Sequence, residues 1–119
     1  MSGPTMTIWN AVVAALSPLG CHEQRSRWGD KPALVLAGRE IAHSETPGTV
    51  DLRITGSRWR EVRADWSDDV RVAAPPGRRD WIELSLQSSD DVAEVASLLR
   101  AAVDANRPTP DMRRRATST

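Results

Sequence analysis

At 119 residues, with 39% hydrophobic and 27% charged residues, the chain has the size and balance of one ordinary globular domain. It holds no run of about 18 apolar residues, which excludes a membrane-spanning helix. Formal charge sums to zero, but Arg107, Arg113, Arg114 and Arg115 against Asp111 leave the first 106 residues at −3, a poor match to a phosphate backbone.

Residues 7–17 set Ile8, Trp9, Val12, Val13 and Leu16 on one helical face, and Ser17, Pro18 and Gly20 end the helix. The run into Cys21 superficially resembles a lipoprotein signal. Its first basic residue is Arg25, however, so the basic leader region is missing and a mature helix is expected. Cys21 is the only cysteine, which excludes an internal disulfide and favours the cytoplasm.

"CHEQRSRW" predicts a weak first strand, and "ALVLA", Ala33 to Ala37, a central one. Arg39–Ser44 and Thr49–Thr55 predict a hairpin around Pro47-Gly48. "SRWREVRADW" predicts a short amphipathic helix and "VRVA" a short strand. In "WIELSL", Ile82, Leu84 and Leu86 alternate with Trp81, Glu83 and Ser85. Ser88, three residues before Asp91, predicts the N-cap of one closing helix through Val92, Val95, Ala96, Leu99, Ala102 and Val103. Pro108 and Pro110 end it, and residues 107–119 are expected to be a disordered basic tail after a single domain over 1–106. Strands joined by short turns point to an α+β two-layer domain. Its antiparallel sheet has about four to six strands, with the N- and C-terminal helices on one face and a short helix between strands.

Alternation sets the expected hairpin register. A two- or four-residue loop pairs Ile41 with Ile54, His43 with Leu52 and Glu45 with Val50. His43 then lies on the apolar face, as a packed imidazole bonded to a neighbour such as Glu45 or as a working group at the sheet rim. Glu40, Ala42, Asp51 and Arg53 take the other face. Glu40 and His43, three apart, diverge on a regular strand; with no His/Cys spacing suited to zinc, no metal site is expected. A nucleophile elbow and a phosphate-cradling glycine loop are also missing.

"GREIAH", then "VDLRIT", then "RRDWIELSLQSSDDVAEVASLLRAAVDAN" resembles the small bacterial members of the luciferase-domain family, named for distant similarity to fungal luciferases. The likeness runs from Gly38 to Asn106. Members often carry a second histidine just after the first, where this chain has Ser44 and Glu45. The resemblance implies a single α+β domain with Arg39, Glu40 and His43 on a strand of interest, and it specifies no cofactor.

Three functions follow as expectations. The first is a module binding a small molecule or a protein partner through the reverse sheet face, with Trp81 and Arg53 as contacts beside Glu83, Ser85, Asp51 and Glu40. The second is a luciferase-like enzyme for a hydrophobic organic substrate. There His43 lines a pocket between sheet and short helix, Trp59 or Trp66 forms the walls, and Arg39 or Glu40 orients. The third is nucleic-acid binding through "RWREVR" and "GRRDW"; the acidic body argues against it, and the lack of Phe and Tyr removes an RRM-type sheet signature.

Overall fold

The computed structural model describes residues 7–27 and 29–108. The chain runs α1 (Ile8–Leu16), a 3-10 turn (Ser17–Leu19), β1 (His22–Arg25), β2 (Pro32–Leu36), β3 (Arg39–Thr46), β4 (Thr49–Arg53), α2 (Gly56–Trp66), β5 (Val72–Ala73), β6 (Trp81–Ser85), α3 (Ser89–Glu94) and α4 (Ala96–Asn106). The six strands form one antiparallel sheet in the order β1-β2-β3-β4-β6-β5. The helices pack on one face of it, the expected α+β arrangement. The expected tail lies outside the described residues beyond Pro108.

Side-chain alternation builds the core. Leu34, Ala42, Leu52 and Ile82 face one another across four strands, and Val50, Leu84 and Val72 form the next row. Against them α1 turns Ala11, Val12 and Leu16, and the C-terminal helices turn Val92, Leu98, Leu99, Ala102 and Val103. The α1 start is fixed by Thr7, whose Oγ1 accepts from Asn10 N–H at 3.0 Å.

The closing helix differs from the expectation: it is two helices, broken at Val95, whose φ and ψ are −97° and 11°. Both segments pack on α1, and the second also reaches the sheet at β3 and β4. Both keep their apolar positions buried. Ser88 Oγ accepts from Asp91 N–H, and Asp91 Oδ2 accepts in return from Gln87 N–H at 2.8 Å. At the far end Asn106 Nδ2 donates to Arg53 O at 2.7 Å, tying α4 to β4.

The hairpin register also departs from the expectation. Thr46 faces Thr49, as a two-residue Pro47-Gly48 turn requires, but His43 faces Asp51 and Ala42 faces Leu52. Ser44 and Glu45 together oppose Val50, one residue too many, and this bulge shifts the pairing by one. A second bulge lies on the other side of β3. Leu34 faces Ala42 and Val35 faces Glu40, so Ile41 has no partner on β2. Ile41 and Ala42 both enter the core. Side-chain alternation therefore resets between Glu40 and His43.

Candidate functional site

The reset puts Glu40 and His43 on the same face, the one away from the helices, contrary to the divergence a regular strand predicts. His43 Nδ1 lies 2.9 Å from Glu40 Oε2, and its Nε2 lies 2.9 Å from Asp51 Oδ2. All three side chains are nearly out of contact with solvent, at 7%, 5% and 9% exposure for His43, Glu40 and Asp51. The hydrogen-bond partners of the ring nitrogens thus include Glu40 and Asp51, where the sequence suggested Glu45. The imidazole bridges two carboxyl groups, one at each ring nitrogen.

Loop residues complete it. Ser26 Oγ donates to Glu40 Oε2 at 3.0 Å and Arg27 N–H to Glu40 Oε1 at 3.2 Å. Arg78 Nη1 donates to Asp51 Oδ1 at 3.3 Å. Trp81 stacks on the histidine, ring centroids 5.1 Å apart and planes tilted 41°, and the Arg78 guanidinium sits 5.9 Å from the Trp81 ring centre. Three titratable side chains drawn from β3 and β4 are held under a lid of one indole and one guanidinium. Burying such a set is weak support for stability, since apolar residues of the same volume often serve as well.

His43, Glu45 and Asp51 also bring three ligand-type atoms within 4.8 Å of one another. Each carboxylate already has nitrogen partners: His43 and the Arg78 guanidinium for Asp51, and Lys31 Nζ for Glu45 at 2.5 Å. The Lys31 hydrogen bond holds the Glu45 carboxyl below the ordinary glutamate value. A cation entering here would have to displace all of these.

Beside the hydrogen-bonded row, Arg27, Gly38, Arg39, Glu40, Arg53, Asp80 and Trp81 line a cleft of about 330 Å³. The row meets this cleft through Glu40. Asp80 organises the opposite wall: its Oδ1 accepts from Gly56 N–H at 2.8 Å, its Oδ2 from Arg53 Nη2 at 3.3 Å, and its carbonyl from Ile54 and Thr55 N–H. These contacts hold Thr55 at φ +67°, a conformation costly for a β-branched residue. Arg53 pairs with Asp80, rather than with the Glu40 or Glu83 that strand pairing suggests.

Of the residues singled out from the sequence, Arg39, Glu40, Arg53 and Trp81 share this cleft, and His43 lies directly behind Glu40 and Trp81. Trp59 and Trp66 do not join them. Both sit on α2, half-buried and packed on the core. A pocket between sheet and short helix walled by these indoles and lined by His43 is not what the chain builds, because His43 points the other way. Sequence reading assigned no role to Ser26, Arg78 or Asp80. "GRRDW" did contain two of them, as alternating Arg and Trp.

The family profile of the luciferase domain matches residues 38–102, more than half of the chain and the whole span from the hairpin to α4. No curated protein and no solved structure matches the chain.

Proposed function

The chain belongs to the luciferase-domain family, and on that premise we propose that it binds a small organic molecule in the cleft between Trp81, Arg39, Arg53 and Glu40. One observation carries this reading: a buried Glu40–His43–Asp51 hydrogen-bonded row opens through the Glu40 carboxyl onto a concave surface with an indole wall. Small-molecule sites combine a concave shape and an apolar wall with a few convergent polar groups, and at ~300 Å³ and above they hold compact ligands. A protein partner would call for a broader surface than this cleft. Cytoplasmic residence fits the buried lone thiol of Cys21. No helix among the described residues is long and apolar enough to cross a membrane.

An enzymatic reading has one specific support. His43, held at both nitrogens, orients the Glu40 carboxyl, the member of the row that lines the cleft and could exchange a proton with a bound molecule. Binding comes first in either case. A thermal-shift panel of flavins, nucleotides and aromatic and fatty metabolites tests it, run on the wild type, Trp81→Leu and Glu40→Gln. A ligand at a hundred times its Kd adds ~2.7 kcal/mol, roughly ten degrees for a domain of this size. The reading expects hits that Trp81→Leu abolishes in a still-folded protein. Hits that survive both substitutions would place the ligand elsewhere.

A further inference from the structure

Resting on that reading of the cleft, we infer that the group recognised there is an oxyanion, a carboxylate or a phosphate, taken between Arg53 and Arg39. Three arginines and two acids line the cleft, and both acids are already engaged. Glu40 accepts from Ser26 Oγ, Arg27 N–H and His43 Nδ1, while Asp80 accepts from Gly56 N–H and Arg53 Nη2. Cationic capacity is left over. Arg39, at the exposed start of β3, has no hydrogen bond or ion pair to any described residue.

Arg53 makes the case sharper. Its Nη1 is one of two buried side-chain nitrogen or oxygen atoms with no hydrogen-bond partner among the described residues, the other being Asn106 Oδ1. A buried guanidinium donor without an acceptor is costly, and such an orphan marks a place where an acceptor arrives from outside. The bond from its other terminal nitrogen to Asp80 is long, at 3.3 Å, so the guanidinium can turn into the cleft without giving up a strong contact. Its backbone cannot drift. Arg53 O accepts from Asn106, and two residues on, Thr55 is pinned at its positive φ by Asp80. A planar fork on a fixed stem suits the two oxygens of a carboxylate or a phosphate. Trp81 then flanks the body of the acid, and Glu40, with His43 behind it, faces the same space.

The test uses the full chain labelled with ¹⁵N. It follows the Arg53 Nε–H and Trp81 indole N–H signals during titration with sodium acetate, with inorganic phosphate, and with sodium chloride at matched ionic strength. The inference expects saturable shifts with acetate or phosphate and none with chloride, and which anion saturates first identifies the source. Arg39→Gln, a surface change, should weaken the binding about tenfold with the fold intact. Shifts that never saturate, that chloride reproduces, or that Arg39→Gln leaves unchanged would overturn it. The cleft reading falls separately: a neutral organic hit that depends on Trp81 but not on Arg39 keeps the cleft and removes the oxyanion.

Discussion

Replacing His43 with alanine removes the group that bridges Glu40 and Asp51. The two carboxylates would stay where they are, since the bulges of β3 and the pairing of β4 fix them, and they would remain almost wholly buried. Glu40 would keep Ser26 Oγ and Arg27 N–H, and Asp51 would keep Arg78 at 3.3 Å. Removing one partner from a buried ion set costs about 3–5 kcal/mol. The surviving donors argue for the lower half of that range, and the lost contact with Trp81 adds back about 0.5–1.5 kcal/mol. Together these give about 3.5–5.5 kcal/mol, and at roughly 4 °C per kcal/mol for a domain of this length the thermal midpoint should fall by about 14–22 °C. Thermal unfolding followed by far-UV circular dichroism measures it, and urea unfolding the free energy, neither depending on Trp81 emission. The triple variant Glu40→Gln, His43→Leu and Asp51→Asn separates charge from packing. With no ion left uncompensated, it should recover at least half of the loss. A His43→Ala cost below about 1 kcal/mol, or a triple variant as unstable as the single one, would refute the idea that the histidine neutralises a buried pair.

Three further outcomes follow from other parts of the fold. Asp69 accepts from the Arg71 side chain and its backbone N–H, which lower the Asp69 carboxyl to about 2. The folded value lies below the unfolded one, near 4. The contact therefore stabilises above about pH 4, and that contribution disappears as pH falls towards 2; the midpoint difference between wild type and Asp69→Asn should close over that interval. Burial pushes the Cys21 thiol up, with Arg107 opposing in part, and the residue is 2% exposed. A disulfide reagent at about pH 8 should label it slowly in the native protein and rapidly in guanidinium. Gly48 takes φ +83°, and an added Cβ would lie 2.9 Å from Leu86 O, whereas Gly38 at φ +81° faces open space. Chemical denaturation should show Gly48→Ala losing about 2 kcal/mol or more and Gly38→Ala about 1.

The element order was legible because each segment carries its own period. Ile82, Leu84 and Leu86 against Trp81, Glu83 and Ser85 identify a half-buried strand with no knowledge of its neighbours, and Val12 with Leu16 does the same for a helix. The reverse face was legible for the same reason: Glu40, Asp51, Arg53 and Trp81 all lie on it. What alternation could not supply was the placement of His43 and Ala42, which take each other's expected faces: Ala42 enters the core and His43 joins the reverse face. Counting by twos assumes an unbroken pleat, and β3 breaks it twice. A local signal was present, since polar Glu40, apolar Ile41, apolar Ala42 and polar His43 make a pattern that neither a strand nor a helix period fits, and a bulge resolves it. The break at Val95 had no such mark. Its cause is tertiary, in the sheet contacts that α4 adds to the α1 packing both segments share, and the apolar spacing runs through it uninterrupted. Asp80 was hidden for a related reason: its partners Arg53 and Gly56 lie more than twenty positions away in the chain.

The two ends of the sheet bear on how the protein meets other molecules. β1 presents His22, Glu23, Gln24 and Arg25, every one exposed, and β5 at the opposite end is two residues long. A charged strand at one border and a stub at the other offer little template for an incoming strand, which guards against fibrous self-stacking at high concentration. It also narrows the modes of recognition. A peptide that docks by extending a sheet needs a long, open ladder of backbone groups, and this chain keeps its longest strand, β3, in the interior. Recognition is left to side chains on the faces, where one substitution retunes specificity without touching the hydrogen-bonded frame.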